Sequence, residues 1–271
     1  MMMLPVAGRE TLAADIARTA VGCLYAELVL YPKPGLVSLV DNGSHTDMTA
    51  ATFMRSLFTL RHYFRAMVDA GRSDAPFPRL RTLGIDAEAR MLRATGGVNT
   101  HRGAIFSLGL LCASVGRASA QGLALTPAAL RAVLLIGWGD ALAAHGGSAG
   151  GAREEGTLGL PSVFEVGLLA LQATLAAGRS MRHARIDALF ALMAHIDDTN
   201  VQHRGGAAGA AAVRGGAQAF IAAGGTARTG WMEEAVALHH AFMHDRLSPG
   251  GAADLLAASC FVHSVCTRGA P

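Results

Sequence analysis

The sequence contains few charged and few aromatic residues. Of its 271 residues, 16% are charged and 6% are aromatic, while 51% are hydrophobic. A chain this apolar can bury a sizeable core, which excludes intrinsic disorder. The formal net charge of +3 is small and the basic residues form no stripe, so nucleic acid is not an expected partner.

Metal-binding cysteine patterns and targeting segments are also absent. The four cysteines include no CxxC pair. The opening "MMMLPVAGRETLAADIA" has no basic region followed by an apolar stretch, so no signal peptide is predicted. Apolar runs such as "AIFSLGLLCASVG" are shorter than the roughly 18–20 residues that a membrane span needs. We therefore expect a cytoplasmic protein without a membrane partner.

No convincing strand pattern occurs, because apolar and polar residues do not alternate with period 2. A period of about 3.6 residues dominates instead. It predicts a single all-α domain over residues 1–271, with the site formed by glycine-rich interhelical loops. The predicted helices, ten in number, cover residues 10–30, 47–70, 82–95, 100–116, 127–145, 161–177, 183–198, 205–223, 229–244 and 249–265.

The common nucleotide-binding and hydrolase signatures are lacking, namely GxxxxGK[ST], GxGxxG after a strand and GxSxG. A different loop stands out, "TGGVNTHRGAIF", which separates two predicted helices. Gly96 or Gly97 could end the first helix in a left-handed conformation, and Asn99 or Thr100 could cap the second. Simple capping would therefore explain three residues of this loop.

Capping does not explain His101 and Arg102, which follow in the same loop. Cations are poorly placed in the first turn of a helix, where the dipole is already positive, unless an anion is bound. Free backbone N–H groups and two cationic side chains at a helix start favour a phosphate site. Both interpretations of the loop stay open. Lys33, the only lysine, lies between two prolines and is a further candidate cation.

Three carboxylates are predicted on apolar helical faces, namely Glu27, Glu88 and Asp254. A buried, isolated carboxylate is costly, so each needs a cation, a metal or several N–H donors. One interpretation is that Glu27 and Glu88 brace the glycine loops by accepting backbone hydrogen bonds. The other is metal coordination or general-base catalysis.

Two loops add further acidic residues. "DNGSHTDM" places Asp41, His45 and Asp47 close together, although Asp47 could simply cap a helix. "HIDDTNVQHRGG" places Asp197 and Asp198 at a predicted helix end, where acids oppose the dipole and indicate a cation. Oxygen ligands of this kind suit Mg²⁺ better than Zn²⁺, so Mg²⁺ is the expected cofactor.

In this order, five segments resemble the triphosphoribosyl-dephospho-CoA synthase family over about residues 20–262: "YPKPGLVSLVDNGSHTDM", "GIDAEARMLRATGGVNTHRGAIFSLGLL", "GGAREEGTLGLPSV", "DDTNVQHRGG" and "LSPGGAADLLAA". The resemblance implies a transferase that uses ATP and 3′-dephospho-CoA. It would release adenine and join the triphosphoribosyl group to the 2′-hydroxyl of dephospho-CoA. The product would be the prosthetic-group precursor for the acyl carrier subunit of citrate lyase or malonate decarboxylase, with more similarity to the malonate decarboxylase branch.

The resemblance also implies roles, since loss of adenine from C1′ builds positive charge and requires a base, a donor to the leaving group and cations for the triphosphate. Arg153 and Arg204 could hold the dephospho-CoA pyrophosphate, and Glu88 could be the general base. The cations are expected to be removable with little loss of folding stability. The candidate catalytic residues are Glu88, Asp47, His45 and His101; the candidate substrate-binding residues are Lys33, Gly35, Ser44, Gly96, Gly97, Asn99, Thr100, Arg102, Arg153, Arg204 and Ser248; the candidate Mg²⁺ ligands are Asp41, Asp47, Asp197, Asp198 and Asp254.

Other functions stay open from the residues alone. A Mg²⁺-dependent all-helical ADP-ribosyl hydrolase also cleaves at ribose C1′. An isoprenoid diphosphate enzyme is disfavoured, because "DDTN" is followed by Val201 where the DDxxD pattern needs aspartate. A nucleotide-binding module without turnover is the non-enzymatic alternative. We also expect the product to pass to the enzyme that modifies the apo acyl carrier subunit, and a homodimer is possible.

Overall fold

Helices form almost the whole architecture of this computed structural model, which describes residues 6–145 and 152–268, without the side chains of residues 6–10 and 152–153. No strand occurs in these parts of the chain, so the all-α prediction is confirmed. A π-helix, Ser162–Gly167, runs directly into α7, and a 3₁₀ turn, Gly225–Ala227, precedes α10. The α-helices are α1 (Val6–Leu28), α2 (Ala50–Arg72), α3 (Phe77–Thr95), α4 (Arg102–Ala120), α5 (Pro127–His145), α6 (Ala152–Thr157), α7 (Leu168–Ala176), α8 (Met181–His195), α9 (Thr199–Ala222), α10 (Trp231–His244) and α11 (Gly250–Arg268).

Each of the ten predicted helices is found, and α6 is the one that the sequence did not predict. It lies in a segment that we expected to be a glycine-rich loop. The largest boundary error is at α9, which begins at Thr199 rather than at residue 205. Gly206 lies inside this helix with φ 58° and ψ −157°, which are not helical values. The helix is therefore kinked at Gly206, and the turns before the kink have a different axis from those after it.

The core is organised around α4 and α11, whose residues are mostly buried. Helix α2 packs against α1, α3 and α4, while α11 packs against α1, α4 and α8. Glycines let α2 and α4 approach closely. A Cβ atom at Gly71 would lie 1.9 Å from the carbonyl oxygen of Ala113, and one at Gly116 would lie 2.1 Å from that of Val68. The α2–α4 crossing therefore requires residues without a side chain.

Two helices, α4 and α5, are long and apolar enough to cross a membrane by length and composition alone. Each has 19 residues, so the expectation that the apolar segments are too short for a span is wrong in this respect. The apolar window of α4 is 72% buried within the protein, which identifies α4 as a core helix, whereas that of α5 is 28% buried. The absence of a membrane partner stays a prediction.

Gly71→Ala is expected to lower the free energy of unfolding by about 1–3 kcal/mol, because the new methyl group overpacks the α2–α4 contact. Gly22→Ala is the matched control on α1, since its Cβ would meet nothing within 4 Å. This control should gain roughly 0.5–1 kcal/mol from helix propensity. Urea denaturation measures the free energy of unfolding of both variants. An equal change in this free energy for the two substitutions would contradict the close crossing of α2 and α4.

Candidate functional site

A cavity of about 1350 Å³ lies where the N-termini of α4, α9 and α11 converge. The first two thirds of α3, from Phe77 to Glu88, the loop before α2 and the α6 region contribute further parts of its wall. Most of the residues that the sequence predicted as functional meet here, which is the arrangement expected of one shared site. Those that line the cavity are His45, Asp47, Glu88, Gly97, Asn99, Thr100, His101, Arg102, Asp197, Asp198, Arg204, Ser248 and Asp254.

Other predicted site residues do not line this cavity. The Gly35 N–H donates to Nδ1 of His239 at 3.1 Å, and Nε2 of His239 lies 3.0 Å from both carboxylate oxygens of Asp41. The Ser44 hydroxyl donates to the carbonyl of Leu247 at 2.5 Å. These contacts fasten the loop after α1 to α10 and the segment that follows it. The residues outside the cavity wall are Lys33, Gly35, Asp41, Ser44 and Gly96, while the side chain of Arg153 lies outside the described residues.

The glycine loop between α3 and α4 caps both helices, as one of the two interpretations predicts. Gly96 and Gly97 have φ of 69° and 90°, and both N–H groups donate to the carbonyl of Leu92. The side chain of Asn99 accepts from the Arg102 N–H at 3.1 Å. The double glycine thus ends α3 in the left-handed region. The N-cap position of α4 is His101, and the side chain of Asn99 accepts the N–H of Arg102, the first residue of the helix.

The first turn of α4 holds a carboxylate of the protein itself. The N–H groups of Gly103 and Ala104 donate to Asp254 on α11. A Cβ atom at Gly103 would lie 2.2 Å from Oδ2 of Asp254, so only glycine allows this approach. Our expectation of free N–H groups for phosphate at this helix end is therefore wrong, because Asn99 and Asp254 already occupy them.

The buried carboxylate of Asp198 links the other two helix starts. It accepts from the Asn200 N–H at 2.9 Å, which caps α9, and from the Ala252 N–H of α11 at 3.2 Å. Burial raises the pKa of Asp198, while these N–H groups oppose the shift. Burial also raises the pKa of Asp254 well above its usual value, and the charges of Glu27 and Asp198 add to this effect. Two acidic groups thus lie at the convergence of the three helices, where burial disfavours their ionised form.

No group of three or more His, Cys, Asp or Glu side chains in the described parts of the chain could hold a metal ion by itself. Two of the predicted Mg²⁺ ligands have other partners: Asp41 pairs with His239, and Asp197 with Arg214. Mg²⁺ commonly binds through one or two carboxylates together with substrate phosphates and water. Asp198 and Asp254 fit that mode, because both line the cavity and lack a cationic partner among the described ion pairs.

Glu88 on α3 and Arg102 at the start of α4 form an ion pair between the two helices that the glycine loop joins. Nε of Arg102 donates to Oε1 of Glu88 at 2.6 Å, and the second guanidinium nitrogen contacts the same oxygen. The Glu88 carboxylate is therefore not isolated, contrary to the expectation from its helical face. The Arg102 side chain is 58% exposed, so its guanidinium is accessible to a ligand in the cavity.

His45, Arg204 and Ser248 form a hydrogen-bonded group on the opposite loops. Nε2 of His45 lies 2.8 Å from the Ser248 hydroxyl, and its Nδ1 lies 3.0 Å from an Arg204 nitrogen. Because arginine only donates, Nδ1 accepts here and Nε2 carries the proton. Burial and the Arg204 charge lower the pKa of His45. The Ser248 hydroxyl thus contacts a side chain of the cavity wall.

Asp47 does not cap α2, which was the alternative to a functional role. Thr49 is the N-cap, and it forms a reciprocal capping box with Thr52. The Asp47 carboxylate lies 3.5 Å from Nδ1 of His45 and is about half exposed at the cavity. It therefore stays a candidate for ligand or metal binding.

His101 is buried and uncharged, so the expectation of a cationic histidine beside Arg102 is wrong. Its side chain is 2% exposed. Burial lowers its pKa to about 3, with a smaller effect from the charge of Lys33.

Lys33 forms an ion pair inside the protein. Its Nζ lies 2.5 Å from Oε1 of Glu27, and its residue exposure is 1%. Burial lowers the pKa of Lys33, and the Glu27 charge opposes this shift. Glu27 contributes to the cavity wall, whereas Lys33 lies behind it. Lys33 therefore acts on the site through Glu27 and through its field, rather than as an exposed phosphate ligand.

Several residues of the site were not predicted from the sequence. Glu155 and His195 line the cavity, and the Glu155 carboxylate accepts from the N–H and the hydroxyl of Ser162. Ser56 lies behind the wall and contacts His101. A signal for Ser56 exists, because it shares the apolar face of α2 with Leu60 and Phe64. No pattern distinguishes Glu155 from an exposed acid of the "GAREE" segment.

Comparison with known proteins finds a family model described as ATP:dephospho-CoA triphosphoribosyl transferase, which matches residues 13–136 and 135–270. The chain is 41% identical to a protein of Stutzerimonas stutzeri named as a probable 2-(5''-triphosphoribosyl)-3'-dephosphocoenzyme-A synthase, over 92% of this chain and 91% of the relative. It is 40% identical to the 2-(5''-triphosphoribosyl)-3'-dephosphocoenzyme-A synthase of Klebsiella pneumoniae, over 94% and 96%. No solved structure matches the chain.

Lys33→Met is expected to lower the free energy of unfolding by about 3–5 kcal/mol, because it leaves the Glu27 carboxylate buried without a partner. The double substitution Lys33→Met with Glu27→Leu should recover much of this loss. Arg18→Met breaks an exposed ion pair with Asp15 on the same helix and should cost at most about 1 kcal/mol. Urea denaturation compares the three variants, and a Lys33→Met protein as stable as the control would argue against a buried pair.

Proposed function

This chain belongs to the ATP:dephospho-CoA triphosphoribosyl transferase family, and we propose that it serves malonate decarboxylase by making the precursor of its prosthetic group. The family activity is that of a transferase with ATP and dephospho-CoA as substrates. The finer assignment rests on "VSLVDNGSHTDM" and "GAREE", which resemble the malonate decarboxylase branch more than the citrate lyase branch. The product would pass, in the cytoplasm, to the enzyme that modifies the apo acyl carrier subunit.

One observation carries the site assignment, namely that a single cavity gathers the glycine loop, the cations and the buried acids. Its volume of about 1350 Å³ exceeds the roughly 300–1,000 Å³ usual for one small ligand, which supports simultaneous binding of two substrates. Part of the wall is apolar and suits the pantetheine arm of dephospho-CoA. This part includes Phe77, Leu80, Phe106, Leu110 and Leu142.

We assign triphosphate binding to Arg102 and pyrophosphate binding to Arg204, because both guanidinium groups line the cavity. Mg²⁺ would be held by Asp198 and Asp254 together with the triphosphate, and it would neutralise phosphate charge near these acids. Arg102 is paired with Glu88 before substrate binds. When Arg102 turns to the triphosphate, Glu88 loses its partner and can accept the proton of the 2′-hydroxyl.

The transferred group then moves from adenine to dephospho-CoA in one displacement at ribose C1′. The bond between C1′ and the adenine nitrogen breaks and the departing adenine takes up a proton, while the 2′-oxygen of dephospho-CoA gives its proton to Glu88 and forms the new bond. Positive charge develops on the ribose ring, and the neighbouring carboxylates stabilise it. The phosphate chain stays intact, which distinguishes this reaction from that of a kinase.

Incubation with ATP, Mg²⁺ and 3′-dephospho-CoA is expected to release adenine in an amount equal to the coupled product, with no ADP and no pyrophosphate. Liquid chromatography with mass spectrometry measures all four species. Stoichiometric ADP would instead indicate phosphoryl transfer. Release of ADP-ribose from an ADP-ribosylated substrate, without coupling, would indicate the hydrolase alternative, and binding without any turnover would indicate a nucleotide-binding module.

Glu88→Gln is expected to lower the rate of adenine release by about 10²–10⁴-fold, because the general base is lost. ATP binding should be kept or become tighter, since Arg102 no longer has an ionised partner that competes with phosphate. Asp86→Asn, an exposed change on the same helix, is the control and should leave both quantities unchanged. Calorimetry of ATP binding and a single-turnover assay test the proposal, and loss of binding with unchanged chemistry would contradict it.

A further inference from the structure

The imidazole of His101 has one ring nitrogen without a partner. Its Nδ1 lies 2.6 Å from the hydroxyl oxygen of Ser56. Its Nε2 is buried and forms no hydrogen bond within the described parts of the chain. The residue nevertheless belongs to the cavity wall. A buried polar atom without a partner costs free energy comparable to a lost hydrogen bond, so an explanation from ligand binding is warranted.

The neighbouring hydroxyl groups determine where the imidazole proton lies. The Thr100 hydroxyl donates to Oγ of Ser56 at 2.7 Å. Ser56 is fully buried, and its own hydrogen has no acceptor among the described residues other than Nδ1 of His101. Nδ1 must therefore accept. In a neutral imidazole the other nitrogen then carries the proton, so Nε2–H is an unpaired donor.

The ring is also fixed in position. The imidazole and the ring of Phe53 pack in a T-shaped arrangement, with the centroids 5.0 Å apart and the planes at 75°. The backbone N–H of His101 contacts the sulfur of Met91 at 3.3 Å. Rotation of the ring would break the Ser56 contact within a buried site. The donor is therefore preorganised, which is the property that makes a hydrogen bond effective in binding and catalysis.

We propose that Nε2–H of His101 donates a hydrogen bond to an oxygen of the bound ATP, and that Ser56 and Thr100 are positioning residues that keep the proton on this nitrogen. The inference rests on the proposed function for the identity of the ligand. Arg102, the next residue along the chain, supplies the accessible guanidinium of the same loop, which favours ATP as the molecule contacted.

This role differs from that of an acid or a cation. Burial and the Lys33 charge keep the imidazole neutral, so it offers a hydrogen bond without transferring a proton. A neutral donor also avoids adding a third positive charge beside Lys33 and Arg102 when no substrate is bound.

The first test is ATP binding, measured by calorimetry on the full chain with Mg²⁺ and without dephospho-CoA. His101→Phe should weaken binding about tenfold, whereas His101→Gln, whose amide can present an N–H near the position of Nε2, should stay within about threefold of the wild type. Ser56→Ala should weaken binding about three- to tenfold. Ser114→Ala is the matched control, because this buried hydroxyl donates to the carbonyl of Leu110 within α4. The control substitution should leave the affinity for ATP unchanged.

The second test observes the tautomer directly. Long-range ¹H–¹⁵N spectra of the imidazoles, assigned by loss of one signal set in His101→Gln, should show His101 protonated at Nε2 and shifted by ATP. In Ser56→Ala the signals should move towards a mixture of tautomers. Wild-type His101 protonated at Nδ1, or ATP affinity of His101→Phe equal to that of the wild type in a folded protein, would overturn the inference.

The two proposals fail separately. If the wild type releases no adenine but ATP binding follows the variant pattern above, the proposed function fails and the role of His101 stands. If adenine is released and the variants bind ATP normally, the role of His101 fails and the function stands.

Discussion

Two carboxylates, one buried and one partly buried, satisfy the N-termini of three helices and are the constraint on which this site depends. Asp198 accepts from α9 and α11, and Asp254 accepts from α4. A buried helix start with unpaired N–H groups would be costly, and these acids remove that cost while holding the three helices at one point. The glycine at position 103 lets α4 approach Asp254 closely enough for this contact. The cavity is the space that remains between the helix ends so joined.

The same arrangement decides how the site treats charge. Helix starts often bind phosphate, but here the first turn of α4 is already neutralised by an acid of the protein. An anionic substrate must therefore be bound by cationic side chains rather than by these N–H groups. One of these side chains, Arg102, is paired with Glu88 in the absence of a ligand. His101 is kept neutral by burial. The surroundings of Arg102, Asp254 and His101, and not residue type alone, thus determine which of them is a cation, an acid or a neutral hydrogen-bond donor.

Two residues behind the cavity wall differ from what the sequence predicts for the site. Lys33 was expected to be an exposed ligand, yet it is paired with Glu27 inside the protein. Ser56 was not considered, although it fixes the hydrogen bonding of His101. In both cases the deciding contact joins residues of different segments. Helical periodicity indicates which face of a helix is buried, but it does not identify the partner that meets a polar group there.

By itself, the sequence determined the all-α class, the approximate position of ten helices and the family, because periodicity and long motifs are local properties of the chain. It offered capping as one of two interpretations of the glycine loop. Tertiary structure alone decided which carboxylates were free and which cation was accessible. In the folded protein Asp41 pairs with His239, Asp254 accepts backbone N–H groups of α4, and the side chain of Arg102 is exposed. The physical reason is that hydrogen bonding, burial and the resulting ionisation depend on distances between segments far apart in the chain, and these distances exist only once the helices have packed.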